Sequence, residues 1–195
     1  MDFNLNCKNA LENMIHAQNM ETQRLVSYIK HAFDKTDVPY TDEIVEALAS
    51  APASTKYHGN YKGGLFHHCL CMAVCLANMS DELNLEWQND RSPFLVAFYH
   101  DLCKIDAYAF TDNGIIHAEC EDKGHGDKSV RLAKQIVPDL TEEEELCIRW
   151  HMGAFDDKEN WSAYGEAVKK YPNVLFVHTA DMYASHILEE INEEL

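Results

Sequence analysis

The segment FLVAFYHDLCKI, Phe94 to Ile105, sets an imidazole beside a carboxylate, His100 and Asp101, in an otherwise apolar run. A helix that is hydrophobic nearly all round is normally buried. An isolated ionised carboxylate there costs more than folding can supply, so Asp101 must be protonated, paired or metal-bound. Lys104, three residues on, could pair with it. Other segments offer partners at helical spacing. Leu65, His68, Cys69, Met72 and Leu76 form an apolar stripe that carries His68 inward, and Val174, Val177, Asp181, Ala184 and Leu188 form a second around Asp181. His178 stands one turn before Asp181, His151 closes a helix in CIRWHMG, and His125 opens one in KGHGDKS. A single histidine of this kind is ordinarily a hydrogen-bonded core residue. Two inward carboxylates with several imidazoles on separate helices are a different case. They are N/O donors of the sort divalent cations bind, and a cation would neutralise the acids while keeping the histidines unprotonated. Cysteine occupies none of these positions, which argues against a structural zinc site.

The elements that must position these groups follow from periodicity and end signals. A helix is expected from about Leu5 to Phe33, broken near Gln18, and a second after Thr41, an N-cap followed by Asp42 and Glu43. The loop SAPASTKYHGNYKGG leads into a third helix near Leu65. The central helix starts at Ser92–Pro93 and runs through His100 and Asp101. In AYAFTDNGIIHAE, Ala107 to Glu119, two β-prone runs flank Asp112-Asn113-Gly114, a hairpin signal. Helices are expected over Gly126–Val137 and Thr141–His151, where Thr141 and Glu144 form a capping box, and a last one opens at Pro172. The reading is an all-α fold with a small β-hairpin, a single domain over 1–195.

Composition narrows the function classes. At 195 residues and 46% hydrophobic, the chain can bury a sizeable core. Its formal net charge of −17 repels polyphosphates and long nucleic acid, whose non-specific binding rests on Lys and Arg. The acidic runs Glu142–Glu145 and Glu189–Glu194 read as solvated helix faces. The seven cysteines include no C-x-x-C pair and read as small buried hydrophobes. No run approaches the ~18 apolar residues of a membrane span. The opening MDFNLNCKNALENM has neither the basic start nor the apolar stretch of a signal peptide, so a cytoplasmic protein is expected.

The order His68, His100–Asp101, Asp181 resembles the H…HD…D signature of the HD-domain metal-dependent phosphohydrolases. The likeness extends along the chain from about Ser50 to Ser185. KYHGNYKGGLFHH is similar to the Gly-Gly-Leu-Leu-x-His segment of HD-type 3′–5′ exoribonucleases, HDLCKI to their His-Asp-x-Gly-Lys-Ile, GHG to their later Gly-His, and VHTADMYAS to their closing Ala-Asp. The resemblance implies an HD helical bundle over 41–190 with residues 1–35 as an N-terminal helical extension. It implies that His68, His100, Asp101 and Asp181 hold a first metal. His125 and His151 match the histidines of a second, with Asp101 bridging. Two departures stand out. His151-Met152-Gly153 replaces a frequent His-His-Gly, and Cys103 stands where glycine is usual, a small-for-small change.

The expected chemistry is hydrolysis of a nucleotide or similar small phosphate ester by metal-activated water. One or two divalent ions would serve, with manganese, iron, magnesium, nickel and zinc all compatible with the donors. Lys104, one turn from Asp101, and Lys62 in the loop before His68 are the cations expected to act on the phosphoryl group. His58, Lys128 and Arg149 are further candidates for substrate contact, Lys128 and Arg149 being better read as salt-bridge residues. The hairpin and the segment Asp156–Tyr164, with Trp161 and Tyr164 as possible stacking rings, would set specificity. Two alternatives stay open: a 3′–5′ exonuclease on short oligonucleotides, and a catalytically inactive protein that binds ligand through its metal. The amphipathic first helix could pack on the core or form a homodimer.

Overall fold

The computed structural model describes residues 22–118 and 124–188. Eight α-helices and one two-stranded antiparallel sheet make up the regular structure among these residues. The expected beginning of the first helix from Leu5, its break near Gln18 and the run Glu189–Glu194 lie outside them. The helices are α1 Thr22–Lys35, α2 Asp42–Ser50, α3 Gly64–Leu83, α4 Ser92–Tyr99, α5 His125–Ile136, α6 Glu142–Arg149, α7 Trp161–Lys170 and α8 Asn173–Tyr183. The hairpin strands are β1 Tyr108–Thr111 and β2 Gly114–His117, in the register Tyr108↔His117 to Thr111↔Gly114. The all-helical architecture with one small hairpin is as expected. No helix among the described residues is long and apolar enough to cross a membrane.

Helix α3 is the axis of the packing. It lies against α2, α4 and α8, and its stripe of Leu65, His68, Cys69, Met72 and Leu76 is wholly buried. The core runs from Leu25 in α1 to Ala184 after α8, so the described part of the first helix packs on its own core. Phe33 of α1 meets Phe98 of α4 at 4.8 Å between ring centroids, and Tyr99 donates its hydroxyl proton to the Pro39 carbonyl at 2.5 Å. Each such buried side chain contributes about 1.5–3 kcal/mol. Phe98 also meets Phe66 of α3, at 6.0 Å between ring centroids.

One expectation fails at the opening segment. The central helix does not run through His100–Asp101: α4 ends at Tyr99, His100 caps it, Asp101 leaves helical geometry at φ −105, ψ 21, and a 3₁₀ segment follows over Leu102–Asp106. Successive residues of an α-helix project about 100° apart and do not face one another. Leaving the helix at Asp101 is what allows both side chains to reach one centre.

The acidic run of α6 also departs from expectation. Thr141 and Glu144 form the capping box, but Glu143 and Glu144 are buried. Glu144 accepts a hydrogen bond from the Ser92 hydroxyl at 2.8 Å, at the start of α4, and Glu143 accepts from Asn173 Nδ2 at 2.9 Å, at the start of α8. These two carboxylates tie α6 to the helices that carry His100 and Asp181. Only Glu142 and Glu145 behave as surface acids, paired with Lys170 and Lys134.

Candidate metal centre

Six of the sequence-selected donors converge. His68 comes from α3, His100 and Asp101 from the α4–3₁₀ junction, His125 from the first position of α5, His151 from the turn after α6, and Asp181 from α8. His68 Nε2 lies 3.1 Å from His100 Nε2, 3.2 Å from Asp181 Oδ1 and 3.7 Å from Asp101 Oδ2. His100 Nε2 lies 3.4 Å from Asp101 Oδ2 and 3.9 Å from Asp181 Oδ1. On the other side of Asp101, Oδ1 lies 3.4 Å from His151 Nε2 and 3.9 Å from His125 Nε2. His68, His100, Asp101 and His151 are buried, and His125 remains 43% exposed at the rim.

Hydrogen bonding fixes what the inward atoms can be. His100 Nδ1 and His151 Nδ1 lie 2.8 Å from the carbonyls of Ala97 and Ile148. A carbonyl only accepts, so both Nδ1 atoms carry protons, and in the neutral ring the lone pair is at Nε2. His151 Nε2 faces the Asp101 carboxylate, and neither Asp101 Oδ1 nor His151 Nε2 has a hydrogen-bond partner. The His100 lone pair faces His68 Nε2. Acceptors brought together in a dry interior are tolerated only with a proton or a metal cation between them.

The charges point the same way. Asp101 and Asp181 contribute two negative charges, and Lys104, with Nζ 2.7 Å from Asp101 Oδ2, contributes one positive charge. The salt bridge to Lys104 is therefore real, and it leaves one negative charge uncompensated. Burial pushes the Asp101 carboxyl up, but Lys104, His100 and His151 outweigh it and hold the group well below the ordinary carboxylate range. Burial likewise opposes ionisation of Asp181, which His68 and His100 overcome. Lys104 is raised, since Asp101 more than offsets its desolvation. Burial lowers the His100 and His125 imidazoles, whereas His151 ends up raised because Asp101 outweighs its burial. Buried His and Asp donors of this composition could hold a metal ion.

A cavity of about 280 Å³ opens beside the cluster, lined by Asp101, Lys104, His125 and Asp181 together with His58, Tyr108, Met152, Phe155, His178 and Met182. Of the cations expected at the phosphate, only Lys104 lines it among the described residues. Lys128 is buried and paired with Asp106, and Arg149 pairs with Asp127 at 2.5 Å and Asp156 at 2.8 Å. Both are structural ties. Lys62 is exposed in the loop before α3, away from the lining. His58 does line the cavity, its ring 4.9 Å from that of His68. Trp161 is 48% exposed and Tyr164 packs on Trp150, and neither lines the cavity.

Two contributors were named from the sequence without a role at the site. His178 Nδ1 lies 2.8 Å from the His151 carbonyl, so α8 braces the turn that carries His151. Its position one turn before Asp181 was the available signal. Cys103 has its thiol among the donors: Asp101, Cys103 and His125 offer ligand atoms within 4.8 Å of one another. Burial, and then the Asp101 charge, push this thiol up to about 12. Its place two residues after Asp101 suggested only a small filler. Comparison of the chain with family models, curated proteins and solved structures returns no match.

Proposed function

We propose that this chain is a divalent-metal-dependent phosphohydrolase of the HD type that acts on a nucleotide or a similarly small phosphate ester. The observation that carries the reading is the buried cluster of His and Asp donors around Asp101, in which Asp101 Oδ1 and His151 Nε2 have no hydrogen-bond partner, beside a cavity that Asp101 and Lys104 line. His68, His100, Asp101 and Asp181 would hold a first ion, and Asp101, His125 and His151 a second. Ions bound there acidify water into a nucleophile at neutral pH and offset charge on phosphoryl oxygens. Asp101 reaches both groups of donors because its two oxygens face opposite sides. The carbonyls of Ala97 and Ile148 hold His100 and His151 with Nε2 inward. Lys104 gives one proton of its ammonium group to Asp101 Oδ2 and has others to offer a phosphoryl oxygen in the cavity. Tyr108, Met152, Phe155 and Met182 supply an apolar wall for the leaving group.

The cavity volume sits just below the usual range of about 300–1,000 Å³ for ligand sites, which favours one small ester over a nucleic-acid strand. The acidic balance of the chain does the same. The test is phosphate release from a panel of mononucleotides, generic phosphate esters and a labelled oligonucleotide with added manganese, comparing wild type with Asp101→Ala and Asp181→Asn. Release by wild type that falls to background in both variants is the expected result. Equal, negligible release in all three sinks the enzyme reading. Met152 on the cavity wall, where the resemblance puts a histidine, favours one other reading, a metal-dependent ligand-binding protein. Tight nucleotide binding without turnover would establish it.

A further inference from the structure

We propose that Cys103 is a metal ligand, so that the second ion position takes a thiophilic cation while the first keeps an all-N/O donor set. The inference rests on the metal-centre part of the function proposed above and is independent of phosphate hydrolysis. The donor atoms of Asp101, Cys103 and His125 lie within 4.8 Å of one another, and Cys103 is only 3% exposed. A second observation points to a ligand at the same place: Asp101 Oδ1 and His151 Nε2, both buried, face each other at 3.4 Å and have no hydrogen-bond partner. Cys103, His125 and Asp101 thus offer one sulfur, one imidazole nitrogen and one carboxylate oxygen, and His151 Nε2 faces the same carboxylate. That set suits tetrahedral zinc and softer ions rather than magnesium or calcium. The first position offers His68, His100, Asp101 Oδ2 and Asp181, with no sulfur.

The backbone around Cys103 is built to keep it there. Its N–H donates to Ser129 Oγ at 3.1 Å, and Ser129 is buried in α5, the helix whose first residue is His125. The 3₁₀ segment and α5 are thereby pinned together, with the Cys103 and His125 donor atoms within 4.8 Å of each other and of Asp101. Ligation would form a metal–sulfur bond and release the thiol proton to solvent.

The probe is Cd²⁺ titrated into chelator-stripped full-length protein, read by the ultraviolet thiolate-to-cadmium charge-transfer band and by bound metal per chain. Wild type should show a band corresponding to one thiolate. In Cys103→Ser the band should vanish and Cd²⁺ affinity at that position fall at least about tenfold, while one hard ion, measured with Mn²⁺, is retained. The Cys7→Ser/Cys120→Ser double variant should keep the band. A band that persists in Cys103→Ser overturns the proposal, as does cadmium binding by wild type with no band. Should Cys103→Ser fail to fold, cadmium NMR of wild type decides, since a sulfur-ligated resonance is strongly deshielded relative to an N/O one. A thiolate band in a protein that hydrolyses no ester removes the proposed function and leaves this inference. Hydrolysis with manganese but no band does the reverse.

Discussion

Asp101 Oδ2 lies 2.7 Å from Lys104 Nζ, while Oδ1 faces two imidazoles without a hydrogen bond. Lys104 is thus the built-in cation of a site with two carboxylates, and its removal should make folding depend on metal. Lys104→Met keeps the bulk and deletes the charge. In chelator, urea unfolding should show it about 3–5 kcal/mol less stable than wild type, the cost of leaving a buried ion unpaired. Manganese should restore more stability to the variant than to wild type, and an equal response in both would show that Lys104 does not balance the site. Acidity acts on the same groups. Asp101 and Asp181 have folded values held below their unfolded ones, so the stability they provide is complete above about pH 4 and drains away as pH falls through the folded values. The urea midpoint of metal-free protein should therefore drop on acidification below that range, with a shallower slope in Asp181→Asn.

The close approach of two helices decides how His125 reaches the cluster. A Cβ at Gly126 would sit 2.0 Å from the Arg149 carbonyl oxygen, a backbone atom that has no rotamer with which to retreat. Gly126→Ala should push α5 from α6, cost about 1–3 kcal/mol by thermal or urea unfolding, and lower metal occupancy at the position His125 and His151 share. His68, His100 and Asp181 do not depend on that contact and should still hold one ion. Gly165→Ala in α7, where nothing lies within 4 Å of the added carbon, is the control and should be neutral or stabilising by up to about 1 kcal/mol. Loss of metal in both variants would detach it from the α5–α6 contact. The same elements show which signals are local. Thr41 and Thr141 were legible as caps because a cap is chosen by its own few residues. The break after Tyr99 was not, since the apolar run resumes at Leu102-Cys103 and no Gly or Pro marks a stop, while the cluster into which His100 and Asp101 turn is tertiary.

Across the whole molecule the formal charge is −17, and among the described residues one lysine, Lys104, lines the cavity. That field slows the approach of an anionic ester over distances comparable with the Debye length, about 10 Å at 0.1 M salt. For the proposed activity, kcat/KM on a charged ester should rise as sodium chloride is raised from about 0.01 M to 0.1 M, while that on a neutral analogue stays level. A fall on the charged ester would mean that a local positive field steers it despite the net charge.

Periodicity determined that this chain is helical and that His68 and Asp181 point inward, because residue spacing sets the face on which a side chain emerges, and local cap and turn residues placed the caps and the hairpin. The motif order also singled out six donors before any were seen together. Tertiary packing alone decided the rest. It set the two faces of Asp101, buried Glu143 and Glu144 as ties between helices, paired Lys128 and Arg149 with aspartates far along the chain, and brought the Cys103 thiol to His125. Those outcomes depend on distances between segments that no local pattern encodes, and on which charges find a partner once water has been excluded.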